Sequence, residues 1–205
     1  MRNTYIIALA AAGFIGFTVN STCAEDKPAT EQPAAAAAGT ADSTEVTLKD
    51  LKLTLPASWK SVPSTSSMRL ATYEIPAVDG DKEPAELTVF NFNGGGGDLS
   101  SNLTRWIGQF SADGRSVELW KGKSGENNYY VADIVGTYQK PKGPPVLRQT
   151  TPAPGYRMLG VVIELEGKGV YYLKLAGPDA TVKAQSDALR ASFGGKKDGE
   201  QEYQL

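Results

Sequence analysis

Carboxylates are the side chains of this sequence whose spacing could support chemistry. Glu164 and Glu166 stand two residues apart, so on a strand they would share one face, where a carboxylate pair could act as general acid and base or bind a cation. Asp133 lies inside an otherwise apolar run, and a buried carboxylate there would need Arg105 or Arg157 as its partner. The alternatives are solvated charge at a strand end for the two glutamates, and a structural ion pair or an outward-facing edge position for Asp133.

Two further stretches invite comparison with ion sites. Asp79, Asp81 and Glu83 resemble a loose calcium loop, but they lack the glycine and the terminal glutamate of an EF-hand. Four glycines at 94–97 precede a predicted helix, where free backbone amides attract anions. Asp98 follows them in place of a Gly-Lys-Ser/Thr ending, and its carboxylate would repel phosphate. We therefore expect a surface turn at the first stretch, with weak cation binding as the alternative. At the second we expect a flexible turn, with anion binding as the alternative.

Residue types that are missing exclude several kinds of site. The sequence has no histidine, and its one cysteine is Cys23. These counts exclude Ser-His-Asp and Cys-His nucleophilic sites, the common zinc ligand sets and a disulfide within the chain. We accordingly assign no catalytic, cofactor-binding or metal-binding residue, and we expect neither a cofactor nor an enzymatic activity.

Tyrosines and one sequon are the remaining polar features of note. Five tyrosines fit either a core lining or an exposed binding face. They are Tyr129, Tyr130, Tyr138, Tyr171 and Tyr172. The sequon that begins at Asn102 falls on a predicted helix and would matter only in a glycosylating host.

The N-terminus has the features of a secretory signal peptide, predicted over residues 1–24. Its apolar run, 5–19, is shorter than the roughly 20 residues that span a membrane, and small residues precede the predicted cleavage site. The alternatives are lipid attachment at Cys23 and an uncleaved anchor. A flexible linker rich in Ala, Pro and acidic residues is predicted over 25–45. We therefore expect a secreted or periplasmic protein, or a lipoprotein anchored at Cys23.

A globular domain is predicted over 46–193 and a polar C-terminal tail over 194–205. The domain carries 17 Lys and Arg against 15 Asp and Glu. This balance has no basic excess of the kind that indicates nucleic acid or an anionic membrane surface. We expect no nucleic-acid partner and no membrane insertion of the mature domain.

Two stretches of the domain predict amphipathic helices. In the first, Asp98 is placed as the N-cap, apolar residues recur at helical spacing over 99–110, and Asp113-Gly114 is the stop signal. Trp106 is its best core residue. The second helix opens at Gly177-Pro178-Asp179 and is stopped by Gly194-Gly195, and its apolar face consists of Val182, Leu189 and Phe193.

Apolar runs predict the strands. They lie at 46–48, 51–55, 68–75, 86–92, 129–138, 156–165 and 170–175, with only a weak or irregular strand at 117–120 and a loop at 140–155. Pro56 should end its strand, and Trp59 should fold back onto the core. Short turns between consecutive strands favour antiparallel pairing, and one helix is available for each face. The predicted fold class is α+β, an antiparallel β-sheet with amphipathic helices on both faces.

Several of these motifs resemble the PsbP-like superfamily, named for an extrinsic subunit of photosystem II. They are the strand that enters a Pro-x-x-Trp corner at 53–59, the hairpin before the first helix, the Arg105-Trp106 helix, and the late strand pair that ends at 175–178. More closely, 86–90, the glycine run and 105–110 resemble a group of secreted bacterial proteins, frequent in planctomycetes, without assigned activity. The resemblance implies an αβα sandwich and a non-catalytic binding or assembly role. No position matches the metal or partner residues of the photosynthetic members.

Three hypotheses about function follow. The first is a secreted or periplasmic, non-catalytic binding or assembly module, whose partner is an unidentified envelope protein or small ligand. The second is a carboxylate-based envelope hydrolase, which needs no histidine but requires two acids converging in a cleft. The third is a lipid-anchored structural protein of the envelope.

Overall fold

The computed structural model describes residues 42–64, 66–92, 96–143, 147 and 149–205. The predicted signal peptide and nearly all of the predicted linker lie outside the described residues, as do Gly94 and Gly95 of the glycine run. Among the described residues, no helix is long and apolar enough to cross a membrane.

The chain begins with a hairpin whose inner strand alternates apolar and polar residues. Strand β1 spans Ser43–Leu48 and β2 spans Leu51–Pro56, with Lys49 in the left-handed region at φ +56°. Three leucines of β2 are buried, at 51, 53 and 55, and so is Trp59. The predicted hairpin, the end of its second strand at Pro56 and the burial of Trp59 are all confirmed.

A second, larger sheet forms the body of the described chain. It has eight strands in the order β10-β6-β7-β8-β9-β5-β4-β3, and every neighbouring pair is antiparallel. Their bounds are β3 Lys60–Val62, β4 Arg69–Ile75, β5 Ala85–Asn91, β6 Ser116–Ser124, β7 Asn127–Pro141, β8 Thr150–Leu165, β9 Gly169–Pro178 and β10 Gln201–Glu202. The protein is thus mostly antiparallel sheet with few helical residues, in agreement with the predicted α+β class.

Helix α1 spans Leu99–Ile107 and packs on β7 and β8. The predicted N-cap is confirmed, because Asp98 Oδ1 accepts a hydrogen bond of 2.9 Å from the Ser101 backbone N–H. Trp106 is buried, as predicted. The helix ends before the predicted stop at Asp113-Gly114. After Ile107 the chain turns to bond with the end of β7, where the Gln139 N–H donates to the Gln109 carbonyl at 2.8 Å.

The second predicted helix consists of two short helices. Helix α2 spans Asp179–Ala184 and α3 spans Ser186–Ser192, divided at Gln185. The side chain of Gln185 accepts a hydrogen bond of 3.1 Å from the Trp59 indole N–H, which ties the break to the corner after β2. The predicted apolar face is buried at Val182, Leu189 and Phe193.

Two apolar clusters form the core, and adjacent residues of the same strand belong to different clusters. Val161 belongs to the cluster that contains Val182 of α2 and Leu53 of β2. Val162 belongs to the cluster that contains Trp106 of α1. Successive side chains of a strand point to opposite faces of the sheet. The strands between the clusters read as nearly continuous apolar runs for this reason.

The loop predicted at 140–155 is too long, because 140–141 belong to β7 and 150–155 belong to β8, and Pro141 pairs with Thr150. Prolines did not end these strands, since Pro152 also occupies a paired position, and Gly155 lies at a bulge with φ +71°. The strand alternative at 117–120 is confirmed, and that strand is longer than predicted: it is the nine-residue β6, whose polar residues alternate with half-buried ones.

The predicted polar tail, 194–205, folds onto the sheet. A 3₁₀-helix spans Lys197–Gly199, and β10 pairs with β6. Arg190 and Glu200 form a fully buried ion pair, with Nε to Oε1 at 2.7 Å. The folded body therefore extends to Glu202, since this ion pair and the β10 pairing hold the segment.

Candidate functional site

Asp133 forms an ion pair with Arg157. The two carboxylate oxygens of Asp133 accept hydrogen bonds of 2.8 and 2.7 Å from Arg157 Nη1. Arg157 Nε donates a third hydrogen bond to Asp179 Oδ1, at 2.7 Å. Arg105 instead bonds the side chain of Asn102. The structural ion pair predicted as one alternative is confirmed, with Arg157 as the partner. Burial nevertheless raises the pKa of Asp133.

Glu164 and Glu166 do not converge with Asp133. Glu164 lies opposite Asn128 and Asp133 lies opposite Leu159, five residues along β8, a separation of about 16 Å at the rise of a strand. Glu166 is exposed beyond the end of β8. The exposure of Glu166 matches the predicted strand-end charge, and Asp133 is too far from Glu164 to act with it on one bond.

Two of the three acids at 79–83, Asp81 and Glu83, bond to separate partners. Asp81 Oδ2 accepts hydrogen bonds from the backbone N–H and hydroxyl of Thr181, at 2.8 and 2.6 Å, and so caps α2 from another part of the chain. Glu83 Oε2 accepts from Lys140 Nζ at 2.7 Å and from the Tyr156 hydroxyl at 2.5 Å. Those two bonds lower the pKa of Glu83. In the part of the chain that the structure describes, no group of three His, Cys, Asp or Glu could hold a metal ion.

The two described residues of the glycine run, Gly96 and Gly97, lead into α1 and are bonded to it through the Gly96 carbonyl. Asn102 Nδ2 donates to the carbonyls of Gly96 and Asp98 at 2.6 and 2.9 Å. A Cβ on Gly96 would lie 2.5 Å from the Tyr172 hydroxyl oxygen, so the backbone passes directly over that ring. Asp98 already places a carboxylate at the helix N-terminus. Asn102 of the sequon is itself buried.

Four of the five singled-out tyrosines belong to the core. Tyr129, Tyr138, Tyr171 and Tyr172 are buried, whereas Tyr130 is half-buried against Tyr203, with ring centroids 5.2 Å apart. The core alternative predicted for them is therefore confirmed for four. Tyr138 also lines a cleft that the sequence motifs do not predict.

This cleft, of about 440 Å³, lies on the face of the sheet that carries α1, and we term it the sheet cleft. Its floor is formed by β5 and β9, where Thr88 pairs with Lys174 and Glu86 pairs with Ala176. Its other lining residues include Arg69, Glu74, Pro84, Phe90, Tyr138, Lys140 and Tyr156. Helix α1 packs mainly on β7 and β8, which lie beside this part of the sheet.

Lys174 is the central polar group of the sheet cleft. Its Nζ donates to Gln109 Oε1 at 2.6 Å and to the Tyr138 hydroxyl oxygen at 2.9 Å, and it lies 5.1 Å from the centre of the Tyr138 ring. Burial lowers the pKa of Lys174 to about 8 and raises the pKa of Tyr138 to about 12. Both partners of the ammonium are neutral, and Lys174 forms no salt bridge with any described carboxylate.

Two ion pairs stand at the rim. Arg69 Nη1 lies 3.2 Å from Glu86 Oε1, and Lys140 Nζ lies 2.7 Å from Glu83 Oε2. Each rim cation thus has a carboxylate of its own. Lys174 differs from both, since it has no carboxylate partner among the described residues.

The sequence contains the signal for this site. Lys174 is a charged residue within a run of apolar and aromatic residues, 170–175. Asp133 likewise lies within an apolar run. The sequence does not reveal that Tyr138 and Gln109 accept hydrogen bonds from Lys174. They do so because the chain after α1 bonds to the end of β7.

Comparisons with known proteins concern the fold alone. No family model and no curated protein sequence matches this chain. Among solved structures, the chain is similar to the solution structure of cyanobacterial PsbP from Synechocystis sp. PCC 6803, with 10% identity over 83% of this chain and 98% of that one, at a TM-score of 0.46.

Proposed function

We propose that this chain is a non-catalytic binding module that holds a small ligand in the sheet cleft. The observation that carries this proposal is a concave site of about 440 Å³ with a partly buried ammonium, Lys174, at its floor. Clefts of this size that combine apolar walls with a few convergent polar groups are typical ligand sites.

We infer that the domain is a sandwich with helices on opposite faces of the sheet, and this architecture accounts for the cleft. Val161 and Val162 are neighbours on β8, and they join clusters with α2 and with α1 respectively. Helix α1 has only nine residues, about 14 Å of length, so it spans only part of its face. The sheet floor beyond its C-terminal end stays open to a ligand.

The dispersal of the acids supports binding over hydrolysis. A carboxylate-based hydrolase needs two acids flanking the scissile bond, one protonated and one charged. Of the acids that line the sheet cleft, Glu86 is paired with Arg69 at 3.2 Å and Glu74 is exposed at the edge. The function proposed here is therefore capture of a ligand without turnover.

The compartment of action is proposed from the sequence: secretion to the periplasm or the outside after removal of residues 1–24. Mass spectrometry of the mature protein tests it. Cleavage after Ala24 predicts a free N-terminal Glu25, whereas lipid attachment would retain Cys23 with the added mass of its acyl chains. A protein that keeps residues 1–24 would contradict both.

The binding proposal is tested by an NMR screen of the folded chain against a library of small organic fragments. Hits should shift the backbone signals of Thr88, Lys174 and Ala176 together. Ala176→Phe fills the cleft and should abolish those shifts, while Ala180→Phe, at an exposed position of α2, should leave them intact. A screen that yields no hits, or hits that shift signals only elsewhere, would contradict the proposal.

A further inference from the structure

We propose that the ligand of the sheet cleft is a small organic monocarboxylate with a flat apolar body, and that its carboxylate binds Lys174 Nζ. This inference rests on the proposed binding function and adds the chemical class of the ligand. It is argued from the hydrogen bonds of Lys174, from the charges around the cleft and from the walls.

The hydrogen bonds of Lys174 leave one donor for a ligand. An ammonium has three N–H donors. Gln109 Oε1 and the Tyr138 hydroxyl oxygen take two of them, at 2.6 and 2.9 Å. Neither acceptor carries a charge, so the cost of removing the ammonium from water is not offset by an ion pair. A ligand carboxylate would supply both the third acceptor and the missing charge.

The charges of the lining favour a single negative charge on the ligand. Of the three cations that line the cleft, Arg69 and Lys140 already have a carboxylate partner each at the rim. Lys174 is the lining cation that has no carboxylate partner among the described residues, and one ligand carboxylate would supply it. A phosphate dianion would bring a second negative charge towards Glu86, so the lining disfavours phosphate monoesters.

The walls fit a flat apolar body. The rings of Tyr138 and Tyr156 stand nearly parallel, 6.0 Å apart at their centroids, and Phe90 and Pro84 also line the cleft. Stacked or edge contacts with such rings stabilise planar ligands. The space suits a fused aromatic ring better than a short aliphatic acid, which would leave these walls in contact with water.

The affinity should depend on pH through Lys174. The other charged or titratable groups that face it are Tyr138 on β7, Glu86 on β5, Arg69 on β4 and Arg105 on α1. Carboxylates, guanidinium groups and phenols do not ordinarily change charge between pH 7 and 9. Because burial lowers the pKa of Lys174 to about 8, binding of a carboxylate should weaken as the pH rises through that value.

The probes are 2-naphthoate and 2-naphthamide, which have almost the same shape and differ in charge. Titration calorimetry on the full mature chain should show naphthoate binding at least about tenfold more tightly than naphthamide, as expected for one charge-assisted hydrogen bond. Lys174→Met should lose the preference for naphthoate over naphthamide, and Lys174→Arg should retain part of that preference. Lys52→Met, at an exposed strand position outside the cleft, should bind as the unaltered protein does.

Each result bears on the inference. Equal binding of the two probes, or naphthoate binding that Lys174→Met leaves unchanged, would overturn the monocarboxylate while the cleft remains a binding site. Failure of both probes to bind would overturn the chemical class, and the fragment screen then decides the binding function separately. Phenyl phosphate binding more tightly than naphthoate would show that the charge argument is wrong.

Discussion

Lys174 carries a stability cost that can be measured apart from any ligand. Its ammonium is partly buried among neutral partners, Gln109 and the Tyr138 hydroxyl group. In the unfolded chain the same amine is fully solvated. Burial lowers its pKa from 10.5 to about 8. Between these two pH values the unfolded chain holds this proton more tightly than the folded one, so the contribution of Lys174 to the free energy of unfolding rises with pH in that window.

Lys174→Met gives the first prediction. The Met variant has no amine to deprotonate, so only the unaltered protein should gain stability from this group between about pH 8 and 10. The free energy of unfolding of the unaltered protein, minus that of the variant, should rise by up to about 3 kcal/mol across the window. Urea denaturation at several pH values measures it. Tyr138, whose pKa is raised from 10.0 to about 12, is present in both proteins, so its own titration in the unfolded chain cancels in the difference. A difference that is flat or falls with pH would contradict the assignment.

Gly160 gives the second prediction. A Cβ at this position would lie 2.3 Å from Cε3 of Trp106, so the indole packs directly on the glycine. Gly160→Ala should lower the free energy of unfolding by about 1–3 kcal/mol, because the ring of a well-packed core must move. Gly199→Ala is the matched control, since its Cβ would meet open space. Equal effects of the two changes would show that Trp106 does not pack as described.

At the residue scale, local chemistry made several features predictable. The N-cap role of Asp98 and the burial of Trp106 follow from helix spacing and from the hydrogen bonds that a helix start requires. The Asp133–Arg157 pair follows from the cost of a buried charge. Lys174 was missed although the same argument applies to it, because its neutral partners come from segments far apart in the chain.

At the scale of elements, the C-terminal segment shows how one buried ion pair can recruit a polar stretch. Arg190 on α3 holds Glu200 with two hydrogen bonds, of 2.7 and 3.1 Å, and both side chains are almost inaccessible to water. The pair brings the following residues to β6, where the Tyr203 N–H donates to the Leu119 carbonyl at 2.8 Å. The edge strand β6 is thereby covered at this point.

Glu200→Gln gives the third prediction. Removing one charge of a buried pair leaves the other unpaired, so the free energy of unfolding should fall by about 3–5 kcal/mol. The amide hydrogen of Tyr203 should also exchange faster, since its bond to β6 depends on the segment. Glu202→Gln, at an exposed position of β10, should change stability by no more than about 0.5 kcal/mol. If the Tyr203 amide of Glu200→Gln exchanges at the same rate as in the unaltered protein, the ion pair does not hold the segment.

Strands could be predicted from the sequence where apolar residues recur with a regular period. Prediction failed where a segment was judged only by its content of proline, glycine or polar residues. The strands at 68–75, 86–92, 156–165 and 170–175 were found because their side chains fill the two clusters. Prolines and glycines predict a loop throughout 140–155, and polar composition predicts a tail at 194–205, but each segment contains strand residues. Both pair through the backbone, which leaves little trace in hydrophobic periodicity.

At the scale of the molecule, the sheet cleft results from a mismatch between a broad sheet and a short helix. The main sheet has eight strands within the described residues, and α1 packs on β7 and β8. The antiparallel fold class was predictable from strand order and turn length. The position of the open region was not, because it depends on where α1 ends and on the hairpin arm that supplies Tyr138 and Tyr156.

A co-crystal structure with 2-naphthoate is the most direct test that the sheet cleft is a binding site and Lys174 its anchor. We predict that the naphthoate carboxylate lies within hydrogen-bond distance of Lys174 Nζ, with the ring system against Tyr138 and Phe90, while Gln109 and Tyr138 keep their bonds to the ammonium. Naphthoate bound at another surface, or bound in the cleft with its carboxylate turned to solvent and Lys174 untouched, would contradict the account.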